Sequence, residues 1–296
     1  MFIVTHRKIF LGIAVFLVTL SAAAITLIGL RPGMDFTGGA LVEVVYVLDR
    51  PTQEILKSAT DGLGFESILF QPTGDRGVIV RTRDFLDGEH EAFIDALREK
   101  GELTEERYTS IGPVIGEELK SKAVWAILLV LILILVFIAF AFRKAGKAIP
   151  SWKYGAVALI TLAHDVIIPT GIFAVLGALY AFEIDALFIT ALLAILGYSV
   201  NDTIVIFDRI RENLKDTSPR EQEDGLHEIV GRSLREIVAR SINTSFTTLL
   251  VLLALFVLGG DSTRQFALVL IIGVVAGTYS SIFVAAPLLL TFRHKA

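Results

Sequence analysis

The chain has 296 residues, 54 % of them hydrophobic, with a mean hydropathy of +0.68, and its apolar residues gather in blocks long enough to cross a bilayer. A net charge of −4 leaves no basic surplus of the kind that binds nucleic acid. The absence of cysteine excludes disulfides, thiolate metal sites and cysteine nucleophiles, and the five histidines (His6, His90, His164, His227, His294) are too scattered to suggest a metal site.

In chain order, six blocks read as transmembrane helices: 9–30, 123–142, 154–182, 186–207, 241–258 and 266–292. A helix rises about 1.5 Å per residue, so roughly 20 residues cross a hydrocarbon core about 30 Å thick. Arg7 and Lys8 before the first block, and small residues at 21–24, also fit a signal peptide. The apolar stretch outlasts a signal core and continues through Leu30, which favours an anchor. Lys and Arg crowd alternate loops: Arg143, Lys144, Lys147 and Lys153 after the second span, Arg209 to Arg240 after the fourth, Arg293 and Lys295 at the end. That distribution predicts both termini in the cytoplasm and 31–122 on the far side.

Segment 31–122 reads as the one soluble-looking domain. A Val-rich strand at 41–48 alternates poorly, as if buried on both faces. A helix at 52–63 opens after Pro51, and short strands at 67–71 and 77–82 flank a Pro72/Gly74 turn. A helix at 87–100 and a strand at 105–111 complete a βαββαβ order, the ferredoxin-like arrangement. The fold class expected is thus an α-helical integral membrane protein, with 1–30 as N-terminus and first helix, 31–122 as a periplasmic ferredoxin-like α+β domain, and 123–296 as a five-helix bundle. Asp75, Arg76, Arg81, Arg83 and Asp84 read as a solvated rim. Gly33, Asp35, Gly38 and Gly39, just past the first span, read either as a tight backbone crossing or as a plain linker turn.

Charge within hydrocarbon is costly, so ionisable residues inside the spans are functional candidates. Asp202 is the sharpest, six residues before Asp208 and so roughly 9 Å inside the end of the fourth span. Tyr198 lies one turn back, and Asn201 precedes it. Arg240, opening the antiparallel fifth span, is its expected partner, with Thr244, Thr247 and Thr248 as a polar stripe turned into the bundle. A proton relay and a static ion pair between helices both fit these residues. His164 and Asp165 in the third span either extend such a path or make a structural hydrogen bond. Gly273, Gly277 and Ser281 recur every four residues in the sixth span and read as a helix-packing stripe. Leu226, Val230, Leu234, Ile237 and Val238 suggest an amphipathic helix along the cytoplasmic surface, or a partner-docking face.

Four stretches resemble one family. They are Gly33-Met34-Asp35-Phe36-Thr37-Gly38-Gly39, the run from Gly197 through Asn201-Asp202 to Asn213, Arg240-Ser241-Ile242-Asn243-Thr244-Ser245-Phe246-Thr247-Thr248-Leu249, and Gly277-Thr278-Tyr279-Ser280-Ser281. Together they are similar to the SecF signatures, over nearly the whole chain. SecF belongs with the RND-type transporters. The resemblance implies a twelve-span unit with SecD, association with the SecYEG channel and the accessory YajC, and use of the proton-motive force to draw preproteins across the inner membrane. It also implies that Asp202 and Arg240 carry protons. Preproteins, protons and membrane lipids are then the partners; no cofactor, metal, nucleic acid or enzymatic activity is expected. Two competing readings are an RND-type exporter of small molecules or lipids, for which about 90 residues outside are few, and a non-transporting assembly subunit. No Ser/His/Asp set or phosphate-binding loop points to an enzyme.

Overall fold

The computed structural model describes residues 2–65, 68–143, 149–217 and 225–291. Ser67, Lys144, Lys147, Arg220, Arg293, His294 and Lys295, which entered the expectations above, lie outside them. The chain divides into two compact units, one of 1–31 with 125–296 and one of 32–124.

The smaller unit holds β1 (Gly39–Tyr46), α-helices at Gln53–Thr60 and Glu89–Arg98, β2 (Leu69–Thr73), β3 (Gly77–Thr82) and β4 (Leu103–Ile111). All pairings are antiparallel and the sheet order is β2-β3-β1-β4. Contrary to the sequence expectation, β1 alternates cleanly. Val42, Val44 and Tyr46 are buried while Leu41, Glu43 and Val45 are half-buried, because only one face is covered by helices. Leu56, Phe93, Ile94 and Leu97 supply that cover and share a core with Phe70, Val78 and Val80. Burial pushes the Tyr46 phenol up to about 12.

The Gly33–Gly39 segment is a tight crossing. Met34–Thr37 forms a single helical turn, and Gly38 and Gly39 follow at φ 74° and 133°. A Cβ on Gly38 would meet the Pro113 backbone at 2.8 Å, and one on Gly39 the Thr82 carbonyl oxygen at 2.7 Å. Both the conformation and the space therefore require glycine.

The larger unit is built from helices long and apolar enough to cross a membrane, six among the described residues. In order they are Arg7–Leu27, Pro113–Ala141, Ser151–Tyr180, Ala186–Lys215, Leu226–Leu258 and Thr263–Thr291, here called spans one to six. Pro113 occupies a first helical turn, where its missing N–H costs nothing. Asp185 caps span four by accepting from the Phe188 N–H at 2.8 Å. Spans three and six are the most buried and form the centre; span two, with Leu129, Val136 and Phe140 exposed, lies at the edge. Close approach at the centre rests on small residues. A Cβ on Gly171 of span three would fall 2.4 Å from Ser21 of span one.

Two expectations are corrected. Span two starts at Pro113, ten residues before the apolar block, so its first turns are polar. The stretch 226–238 is not a separate surface helix. It is the beginning of span five, which runs unbroken from Leu226 to Leu258. Its apolar side, Leu226, Ile229, Val230, Leu234 and Ile237, is buried against Phe207, Ile210 and Leu214 of span four. Asn213 reinforces that contact by donating to Ser233 at 2.9 Å and Glu236 at 3.0 Å, and Arg209 donates to Glu236 at 2.6 Å.

Candidate functional site

Two polar clusters sit inside the helix bundle, on adjoining faces of span four. The first is centred on Asp165 of span three, which is wholly buried. Its Oδ1 accepts from His164 Nδ1 at 2.8 Å. Its Oδ2 accepts from Ser280 Oγ of span six at 2.8 Å and from Ser199 Oγ of span four in a very short contact. Three helices are thus tied to one carboxylate. Four residues later stands Pro169, which lacks the N–H that would bond the Asp165 carbonyl within the helix. His164 Nε2 is buried without a hydrogen-bond partner among the described residues. Its ring lies parallel to that of Tyr279, 6.1 Å away, and the Tyr279 hydroxyl donates to the Phe10 carbonyl of span one at 2.8 Å.

Between Tyr279 and Ala286 span six widens into a π-helical turn, Ser280–Ala285, which carries Ser280 and Ser281. Such turns inside α-helices are frequent at functional sites. Ser281 shares a hydrogen bond with Thr203 of span four at 2.9 Å. The stripe Gly273, Gly277, Ser281 faces Ile195, Ser199 and Thr203, one turn apart on both helices. A Cβ on Gly273 would fall 2.1 Å from Ile195, so this stripe is the contact between spans four and six.

The second cluster is centred on Asp202 of span four. Ser241 Oγ of span five donates to Asp202 Oδ1 at 2.6 Å, and Oδ2 is buried with no partner among the described residues. One turn back along span four and one turn further along span five, the Tyr198 hydroxyl donates to Ser245 Oγ at 3.0 Å; Thr278 of span six donates to the same oxygen at 2.6 Å. The outcome is a ladder of hydroxyls joining spans four, five and six, with one carboxylate at its end.

The residues expected to partner Asp202 are placed differently. Arg240 is exposed and makes no ion pair with Asp202. Thr244 and Thr247 are exposed, Thr248 is half-buried, and all three hydroxyls bond to their own helix backbone. Asn201 is exposed as well. The inward face of span five is one residue further along, at Ser241 and Ser245, because successive helical residues point about 100° apart. Sequence reasoning missed Ser199, Ser241, Ser245, Thr278 and Ser280. For Ser241 and Ser245 the available signal was that they continue the buried periodicity of Leu234 and Ile237. Among the described residues no three His, Asp or Glu converge as metal ligands.

Six apolar helices enclosing carboxylates held by hydroxyls define a multi-pass membrane protein with a polar core. The sequence profile described as "Protein export membrane protein SecD/SecF, C-terminal" matches residues 92–295. The protein translocase subunit SecF of Thermobaculum terrenum is 38 % identical, the alignment covering 99 % of this chain and 94 % of that protein. The same subunit of Vibrio alginolyticus is 38 % identical over 96 % of this chain and 87 % of its own length. The crystal structure of SecDF, a translocon-associated membrane protein from Thermus thermophilus, superposes with a TM-score of 0.82 at 32 % identity. It covers 98 % of this chain, which spans 38 % of that longer one. A structure of SecDF in a super-membrane-facing form gives 0.67 at 34 % identity over 97 % of this chain and 38 % of its own. The chain belongs to the SecD/SecF family of protein-export membrane proteins, and within it is similar to the SecF subunit.

Proposed function

We propose that this chain is the SecF partner of a SecD subunit in an inner-membrane unit that associates with the SecYEG channel and with YajC, and uses the proton-motive force to promote preprotein translocation. The observation that carries the reading is Asp202. It is a carboxylate inside an apolar helix, with one oxygen bonded to Ser241 and the other buried and unpartnered. A charge so placed is costly, and a proton on Oδ2 would neutralise it.

On this reading Asp202 takes up and releases protons and Ser241 holds its carboxylate in place. Arg240, exposed one residue earlier, reaches outward to a group of the partner subunit. One charge crossing 100 mV supplies about 2.3 kcal/mol, enough to bias a two-state equilibrium roughly fifty-fold. Asp165 and His164 serve as a second polar junction that ties spans three, four and six into one body, or extend the path. The strand order β2-β3-β1-β4 supports a ferredoxin-like fold for 32–124. The Lys and Arg distribution supports cytoplasmic termini and a periplasmic domain.

The test is complementation. Co-expressed with its own SecD in a bacterium depleted of both native subunits, the chain should restore processing of secreted precursors. If precursors stay as abundant as in the empty-vector strain, while both subunits are present in the membrane, the reading is wrong.

A further inference from the structure

Where span one begins, the fold gathers basic side chains from two distant parts of the sequence. The short helix Phe2–Thr5 lies against span five, with Val4 buried among Leu226, Val230 and Leu234. That docking brings Arg7 Nη1 to 3.1 Å from the ring of His227, 220 residues away. Beside them opens a cleft of about 770 Å³, part of it continuous with solvent, lined by His6, Arg7, Lys8 and His227 together with Val4 and Ile9. No carboxylate of a described residue lines it. A second cleft of about 420 Å³, likewise partly continuous with solvent, shares Val4 with the first and is lined by Phe2, Ile3, Leu234 and Val238, with Arg235 at its side.

We propose that this pair of clefts binds an anionic phospholipid, the phosphate of the headgroup among Arg7, Lys8 and His227 and the start of an acyl chain against Phe2, Ile3 and Val238. Arg7 and Lys8 are two cations side by side, which a bound anion stabilises, and Arg and Lys are the usual phosphate donors. The His227 ring that accepts from Arg7 fixes the guanidinium at the mouth of the cleft. Position selects the source of that phosphate. The cationic cleft stands at the end of a membrane-spanning helix whose Ile9, Ile13 and Phe16 are exposed, at the level where lipid headgroups lie. An apolar groove next to the cation cluster suits a lipid and gives nothing to a free ion.

The experiment is lipid retention. The full chain is purified from nanodiscs of equal phosphatidylglycerol and phosphatidylcholine, delipidated in mild detergent, and the lipids still bound are counted by native mass spectrometry. Wild type should keep phosphatidylglycerol in preference to phosphatidylcholine. Arg7→Gln/Lys8→Gln/His227→Gln should lose about tenfold of that preference. Because Arg7 and Lys8 also bear on membrane insertion, His227→Asp alone is the second variant. It leaves both cations in place and should weaken retention severalfold. Arg232→Gln, exposed outside the cleft, should behave as wild type. Equal retention in wild type and His227→Asp would overturn the proposal. So would displacement of the lipid by millimolar inorganic phosphate, which would mark a free-anion site instead.

Discussion

Ser241 donates to Asp202 at 2.6 Å, while Arg240, its neighbour in sequence, points out of the bundle. The carboxylate is therefore held by a neutral donor, and its second oxygen has no hydrogen-bond partner among the described residues. Removing the hydroxyl should disturb coupling more than folding. A hydrogen bond of this kind contributes about 1 kcal/mol to stability, or about 2 where the acceptor is charged. Ser241→Ala should therefore assemble normally and lose several-fold of the gradient-dependent part of translocation. Ser233→Ala, whose partners are Asn213 and its own helix, should not. Rates in membrane vesicles with and without a gradient measure this.

Gly273 and Gly12 form a matched pair of controls for the contact between spans four and six. An added Cβ at Gly273 meets Ile195 at 2.1 Å, whereas at Gly12 nothing lies within 4 Å. Gly273→Ala should cost about 1–3 kcal/mol through overpacking, read as a lower midpoint of thermal unfolding in detergent. Gly12→Ala should leave that midpoint unchanged or raise it slightly.

How far the sequence carries depends on the kind of signal. The spans were legible because bilayer thickness imposes a block length that composition displays. The continuity of span five was not, since Arg232, Arg235 and Arg240 look like a boundary. In the fold they ride the exposed face of one long helix whose other face is buried. Asp202 was legible as a rare charge in hydrocarbon; its partner was not. Antiparallel neighbours bring Arg240 and Ser241 to the same depth, and only the rotation of the helix, set by packing of Leu234 and Ile237, decides which turns inward. Ser199 and Ser280 were silent for a related reason. A serine within an apolar helix carries no pattern until Asp165 stands opposite it. The Gly38-Gly39 crossing was visible as an alternative, and the contact with Thr82 that decides it lies far away in sequence.

That crossing gives a third expectation. Gly39→Ala has neither the space nor the backbone conformation it needs, and should destabilise the 32–124 unit by a few kcal/mol. Gly62→Ala, with nothing within 4 Å, should be tolerated. Hydrogen exchange in the intact protein should rise across β1 and β3 for the first variant and not for the second.

The pH dependence of the same unit follows from Glu89. Arg83 donates to both of its oxygens at 2.7 and 2.8 Å and the Leu86 N–H adds a third bond, which together hold the carboxyl at about 2. A folded value below the ordinary 4.5 means that the contribution is complete above 4.5 and is lost as the pH falls toward 2. In a carboxyl-detected NMR titration Glu89 should titrate near 2, and Arg83→Gln should return it toward 4.5. A Glu89 that titrates near 4.5 in the wild type would contradict this.

The most direct measurement concerns Asp202 itself. Preprotein translocation is followed in inverted membrane vesicles containing the chain and its SecD partner, for wild type and Asp202→Asn, with and without a proton gradient. If Asp202 carries the proton, the variant loses the gradient-dependent part and keeps the remainder. Translocation equal to wild type in both conditions, by a variant that still assembles, would show that Asp202 only holds spans four and five together.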